Sequence, residues 1–233
     1  MLLSICAILV FLWYMHLPSC TRTRMATPSN PWRRPKLIVV VLARGRKARL
    51  LQMIQTIISR QNMCILVGCY DCNATRYDQN HTVRVIHLSG PFRRAGSFML
   101  LLRQLKQWTS DSTPVFLVDV DIIIKPAAIN GMLVHLRNRA FLFPVVFSLY
   151  GKTPSHDCSD KDGQWFSLGH GMVMFRLFSF FNIKNNPWLQ PKWQLKTTHG
   201  GEDVALYRTV PAHMRLRWNE CNLQHASHKR VAW

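Results

Sequence analysis

Acidic residues are scarce in this chain of 233 residues, which carries 11 Asp and Glu against 30 Lys and Arg, a formal net charge of +19. The excess predicts polyanionic partners, and charge alone leaves nucleic acids, acidic glycans, nucleotide phosphates and membrane headgroups open. Internal repeats and low-complexity segments are also absent, while 48% of the residues are hydrophobic. Disorder as the default state is therefore excluded, and one folded domain of medium size is expected.

The seven cysteines provide one CxxC pair, Cys69 and Cys72, and no second CxxC follows it. A zinc site or a redox motif is therefore disfavoured at this pair, and a structural disulfide is expected. Five cysteines lie beyond residue 20. Because five is an odd number, one thiol is expected to stay free.

No Lys or Arg precedes or interrupts the apolar run at residues 1–17, which suits a signal anchor or a cleavable signal peptide. A buried core helix is the alternative. Because the basic residues all follow the run, the positive-inside rule alone would leave the remainder in the cytosol. Two glycosylation sequons at Asn73 and Asn80 favour a lumenal body instead. We therefore expect an anchor at 1–17, a short basic stem at 18–36 and one domain at 37–233.

Apolar runs and amphipathic stretches alternate through the first 130 residues. Runs rich in apolar and β-branched residues predict buried strands at 37–43, 63–70, 82–88 and 115–118. Amphipathic spacing and turn residues predict helices at 50–58, at 97–108 and from Pro126 onward. A further strand-like run lies at 141–147. This order predicts an α/β fold with a mostly parallel central sheet flanked by helices, which binds ligands at the carboxyl ends of its strands.

Two of the few acids, Asp119 and Asp121, follow the run at 115–118. Side chains alternate along a strand, so both carboxylates point to the same side, about 7 Å apart. Such a pair can share one Mg²⁺ or Mn²⁺ with a diphosphate, because these ions prefer carboxylate, water and phosphate oxygens. A pair of strand-end caps is the alternative interpretation.

A second acidic pair, Glu202 and Asp203, follows two glycines. One of these acids can act as general base on an incoming hydroxyl, and the alternative is a helix N-terminus whose acids face the macrodipole. His225 and His228 lie in a basic segment near the end of the sequence. An imidazole from this pair can bind Mn²⁺, or both rings can be exposed to solvent.

Five ordered blocks resemble the chondroitin N-acetylgalactosaminyltransferase family, which is related to the beta-1,4-galactosyltransferases and shares their GT-A fold. The blocks are FLVDVDIIIKP (116–126), FPVVFSLY (143–150), WFSLGHGMVMFR (165–176), GGEDVALYR (200–208) and NLQHASHKR (222–230). The resemblance extends from about residue 37 to the end of the sequence. It implies a single GT-A-like domain.

Matched residue by residue, the resemblance implies a metal site. Asp121 corresponds to the acid expected on the metal, and Asp119 to the acid near the ribose and the metal. His225 corresponds to the histidine that completes the metal shell, with His228 as the second candidate. The implied ion is Mn²⁺ or a similar divalent cation.

The resemblance also implies the catalytic and donor-binding residues. Asp203 corresponds to the general base, with Glu202 beside it. Arg44 and Arg46 after the first strand, and Arg94 in the segment FRRA, resemble the family's basic contacts to uridine diphosphate.

The function implied is an inverting transfer of N-acetylgalactosamine from UDP-GalNAc to an acidic acceptor such as chondroitin. A Golgi membrane location with a lumenal catalytic domain, assembly with related glycosyltransferases and no nucleic-acid partner are implied as well. Two alternatives remain open. One is a non-catalytic lumenal protein that binds acidic glycan or assists a polymerase, and the other is a basic nucleic-acid-binding protein.

Overall fold

The computed structural model describes residues 30–71, 81–151, 155–166, 171–196 and 201–225. The apolar run at 1–17, most of the stem, both sequon asparagines, Cys72 and His228 lie outside these ranges. Within the described ranges, no helix combines the length and the apolar character that a bilayer crossing requires.

The described residues contain nine strands, all in one sheet. In chain order they are β1 (Leu37–Ala43), β2 (Met63–Cys69), β3 (Val83–His87), β4 (Pro114–Asp119), β5 (Ile122–Ile124), β6 (Phe141–Leu149), β7 (Gly163–Trp165), β8 (Val173–Arg176) and β9 (Arg215–His225). The α-helices of the same ranges are α1 (Lys47–Ile58), α2 (Arg94–Trp108), α3 (Pro126–Asn138), α4 (Leu177–Phe181), α5 (Pro191–Gln194) and α6 (Glu202–Thr209).

The strands follow the order β3-β2-β1-β4-β8-β6-β9-β5, with β7 beside β6. The first four in this order pair in parallel. β8 is antiparallel to both β4 and β6, and β9 is parallel to β6 but antiparallel to β5. The expectation of a mostly parallel sheet is therefore wrong beyond β4. In the described part of the chain no helix lies between β6 and β8, and a parallel return would need such a crossover.

Apolar side chains of β1 fill two cores, one on each face of the sheet. Val39 and Val41 pack with α1 and α3 on one face. Ile38 and Val40 pack with α2 on the other. Because both faces are covered, β1 is apolar throughout instead of alternating, as is typical of a parallel strand in an α/β fold.

The longest strand, β9, is mainly polar and was not predicted from the sequence. It lies between β6 and β5, and its register against β6 shifts at Val146/Phe147. The fully buried Gln224 bonds to both the backbone N–H and the carbonyl of Ser155. Cys158 and Cys221 form a disulfide that ties β9 to the segment before β7. These bonds stabilise a strand whose own side chains offer little apolar surface.

The described part of the chain contains one free cysteine, as the odd number of cysteines led us to expect. Cys64 is free and buried, and burial raises its thiol pKa to about 11. Cys69 is disulfide-bonded.

Candidate active site

The strand order changes direction between β1 and β4, and the carboxyl ends of these two strands lie side by side. From β1 the chain proceeds outward to β2 and β3, and then crosses to β4 on the other side of β1. In open α/β sheets this switch point is the usual place for a ligand. Gly45 turns the chain just after β1 with φ of 65°, and its N–H donates to Asp71 Oδ2 at 2.6 Å. The half-buried Arg44 and Arg46 flank this turn.

The first acidic pair lies at the same edge. Asp119 ends β4, and Val120 places Asp121 two residues further along, before β5. β5 pairs with β9 so that Ile122 is opposite His225. This pairing brings His225 Nε2 to 3.5 Å from Asp121 Oδ2. The side chains of Asp121 and His225 are 15% and 35% exposed, so His225 is partly buried and does not match the alternative in which both histidine rings are exposed to solvent.

The second acidic pair begins α6. Gly201 precedes the helix with φ of 86°, a value that favours glycine. The side chain of Asp203 is 20% exposed, whereas Glu202 is only 3% exposed. Glu202 Oε2 has no hydrogen-bond partner among the described residues. Asp203 is therefore the acid of this pair that an incoming hydroxyl can reach.

The Arg94 guanidinium connects the two acidic pairs. Its Nε and Nη2 donate to Asp119 Oδ1 at 3.3 and 3.2 Å. Nη1 donates to Asp203 Oδ1, and Nη2 also donates to the carbonyl of Gly171. The side chain is 8% exposed and lies 5.1 Å from the centre of the Phe98 ring. One buried cation thus holds the end of β4, the start of α6 and the segment before β8.

Gly171 makes this convergence sterically feasible. A Cβ at this position would lie 3.1 Å from Arg94 Nη2, 3.2 Å from Asp203 Oδ2 and 3.3 Å from Asp119 Oδ2. These distances are shorter than ordinary contacts. A side chain at this position would require the neighbouring charged groups to shift by a few tenths of an ångström.

Three groups at the site have raised pKa values, each for a different physical reason. Burial acts to lower the Arg94 pKa, but the neighbouring Asp119, Asp203 and Glu202 outweigh it and raise this pKa above its ordinary value. Burial raises the pKa of Asp203, although Arg94 opposes that change. The hydrogen bond to Asp121 raises the pKa of His225. Arg46 lies close enough to oppose this effect electrostatically.

An open cleft of about 510 Å³ lies along α2, from Gly96 to Gln104. His87, Arg93 and Arg103 contribute basic side chains to its lining, and Gln104 and Gln194 contribute amides. Among the described residues that line it there is no carboxylate. The cleft is thus suited to a ligand with hydroxyl groups and negative charge.

Most of the predicted site residues share one edge of the sheet. Asp119, Glu202 and Asp203 lie around the guanidinium of Arg94. Asp121 is paired with His225. His228 lies outside the described residues, which contain no group of three or more His, Cys, Asp or Glu side chains placed to hold a metal ion. Sequence reasoning missed Gly171, although the block at 165–176 contains it and a glycine next to a strand is a signal for close approach.

No family model matches the chain, and no curated protein matches it either. Two solved structures of 4-diphosphocytidyl-2C-methyl-D-erythritol synthase are similar in fold. One has a TM-score of 0.53 and 11% identity over 83% of this chain and 94% of the synthase. The other, from Anaerococcus prevotii, has a TM-score of 0.51 and 10% identity, covering 82% of this chain and 88% of its own.

A mannosyltransferase from Pyrobaculum calidifontis, solved with GDP-Man and Mn²⁺, is also similar. It has a TM-score of 0.50 and 12% identity over 97% of this chain and 66% of its own. At this level of identity the similarity concerns the fold alone. It confirms a mixed α/β domain and is consistent with the expected GT-A-like fold.

Proposed function

We propose that this protein is a metal-dependent glycosyltransferase that uses a nucleotide-sugar donor. The observation that carries the proposal is the convergence of two acidic pairs, one histidine and two half-buried arginines at the switch point of the sheet. The fold neighbours are compatible with this function, because one bears a diphosphocytidyl product in its name and another was solved with GDP-Man and Mn²⁺.

Asp121 and His225 fit a divalent cation. Their facing atoms are 3.5 Å apart, close to the separation of about 3 Å between neighbouring ligands in an octahedral shell. A carboxylate with one imidazole suits Mn²⁺, and diphosphate oxygens and water would fill the other positions. The bound ion would neutralise the charge that develops on the leaving diphosphate. Because Asp121 raises the pKa of His225, protons compete more strongly with an ion for this imidazole, and ion binding should weaken as pH falls.

Asp203 is the proposed general base. Its carboxylate takes the proton of an acceptor hydroxyl while that oxygen forms a bond to the anomeric carbon of the donor. The bond from the anomeric carbon to the diphosphate oxygen breaks, and the nucleoside diphosphate leaves with the electron pair. The anomeric configuration inverts. Burial raises the pKa of Asp203, which makes it a stronger base than an exposed carboxylate.

The donor and acceptor are proposed from different observations. UDP-N-acetylgalactosamine rests on the sequence resemblance, with Arg44 and Arg46 as contacts for the diphosphate. An acidic glycan such as chondroitin rests on the net charge of +19 and on the basic cleft beside α2. The Golgi location, the anchor at 1–17 and assembly with related glycosyltransferases rest on the sequence alone.

A donor panel tests the proposal. The purified protein is incubated with UDP-GalNAc, UDP-GlcNAc, UDP-galactose and GDP-mannose, each with Mn²⁺ or with EDTA, in the presence and absence of a chondroitin oligosaccharide. We expect Mn²⁺-dependent transfer, largest with UDP-GalNAc. Oligosaccharide binding without transfer or hydrolysis of any donor would support the non-catalytic glycan-binding alternative.

A further inference from the structure

The N–H groups of Arg94 are mostly occupied by acceptors of the protein itself, which limits its use as a contact for the donor. Its bonds to Asp119, Asp203 and Gly171 use one hydrogen of Nε, one of Nη1 and two of Nη2. A guanidinium carries five N–H groups, so four of the five are engaged within the described residues. A two-pronged contact to a diphosphate needs two parallel N–H groups. Arg94 cannot provide that contact while it holds both acids.

The surroundings favour a fixed side chain. Arg94 is 8% exposed, whereas Arg44 and Arg46 at the turn after β1 are half-buried. The Phe98 ring lies beside the guanidinium, and Gly171 leaves just enough room for the charged groups to meet. A planar fork can reach two carboxylates at once, and a lysine ammonium cannot reproduce this geometry.

The charges explain why such a group is needed. Asp119 and Asp203 come from segments 84 residues apart in sequence, and Glu202 adds a third acid that interacts electrostatically with Arg94. Asp203 and Glu202 are largely buried, whereas Asp119 is about half exposed. Without a cation between them, the three carboxylates would repel one another, and the two buried ones would be only partly solvated. The position of Asp203 would then be set by repulsion.

We propose that Arg94 is a positioning residue, which holds the Asp203 carboxylate in place for proton abstraction and couples it to Asp119 at the end of β4. The kinetic part of this inference rests on the proposed transferase function. The coupling between the two acidic pairs does not depend on it.

The test compares Arg94→Lys and Arg94→Gln with Arg139→Lys and Arg139→Gln. Arg139 is an exposed arginine after α3 whose Nη1 donates to one backbone carbonyl, that of His213. We expect both Arg94 variants to lose at least ~10²-fold in kcat, the range for a misplaced general base, with a much smaller change in Mn²⁺-dependent UDP affinity. The Arg139 variants should match the wild type. A loss of UDP affinity as large as the loss of kcat would overturn the proposal, because it would make Arg94 a donor contact.

A double-mutant cycle between Arg94→Gln and Asp203→Asn gives a second readout that requires no activity. We expect the effects on the unfolding equilibrium constant to be coupled by at least ~10²-fold, because removal of one partner leaves the other charge buried. If Arg94→Gln does not fold, Arg94→Lys replaces it in the cycle. Additive effects would overturn the proposal. A wild-type protein inactive on every donor would contradict the proposed function, and the cycle would still decide whether Arg94 and Asp203 are coupled.

Discussion

The parallel strands β1 to β4 and the mixed strands β5 to β9 build the two sides of the site in different ways. On the parallel side β1, β2 and β4 are apolar strands whose side chains are buried, and the acid of β4, Asp119, comes at its end. The mixed side contains a polar central strand that depends on buried hydrogen bonds and a disulfide. Arg94 joins the two sides at the β4–β8 boundary. Apolar packing thus positions one set of functional residues, and specific polar bonds position the other.

The largest expected effect comes from removing the disulfide of the mixed side. Replacing Cys158 and Cys221 together by Ser should lower the free energy of unfolding by about 4 kcal/mol, because the bridge closes a loop between residues 63 apart in sequence. Urea unfolding under non-reducing conditions measures the change. Cys64→Ala, a change at the free thiol on the parallel side, should cost clearly less. Equal losses would show that the mixed side does not depend on its crosslink.

Replacing the proposed base tests the chemistry of the mixed side. Asp203→Asn keeps the size and removes proton acceptance, so kcat should fall by at least ~10²-fold. UDP affinity should be nearly unchanged, since the proposed donor contacts are Asp121, His225 and the arginines after β1. Single-turnover kinetics and calorimetry measure the two quantities. Asp111→Asn, at an exposed acid before β4, is the control. Near-normal turnover of Asp203→Asn would leave the acidic pair as a helix cap.

Substitution of the glycine at the β4–β8 boundary should destabilise the protein more than substitution of a glycine in a loop. Gly171→Ala places a Cβ against Arg94, Asp119 and Asp203, and overpacking of this kind costs about 1–3 kcal/mol of unfolding free energy. Gly151→Ala is the matched change, because no described atom lies within 4 Å of a Cβ there. Thermal unfolding and transfer rates should separate the two variants. Equal behaviour would contradict the close packing at the boundary.

The smallest expected effect concerns the metal. Asp121→Asn should weaken Mn²⁺-dependent UDP binding at least ~10-fold, because it removes one of the two protein ligands proposed for the ion. EDTA should lower wild-type affinity to the level of the variant and change the variant little. Calorimetry with and without Mn²⁺ checks both expectations. A wild-type affinity that is insensitive to EDTA would remove the ion from donor binding.

The parallel side was predictable because its signals are local. Apolar runs placed β1, β2 and β4 within one or two residues of their observed bounds. β9 could not be found in this way, since its polar residues are satisfied by partners such as Ser155, about 70 residues away in sequence. A window of neighbouring residues contains no information about such partners.

The sequence identified candidate site residues better than it identified the contacts between them. Residue type and position at a strand end selected Asp119 and Asp121, and the acidic pair after two glycines, with the family resemblance, selected Asp203. The role of Arg94 between two acids depends on how α2, β4 and α6 pack together, and sequence spacing does not encode that. The roles of these residues in catalysis and metal binding stay predictions until the variants are measured.

The insertion of β9 between β5 and β6 has a consequence for folding. Its two neighbours are made from residues 122–149, so this strand can pair only after the chain has closed a loop of many residues. Such long-range pairing is slow compared with helix formation and local strand contacts. We expect an intermediate in which β1 to β4 are already ordered while His225 is still far from Asp121. Binding of the proposed metal ion by Asp121 and His225 would then become possible only at the last step of folding.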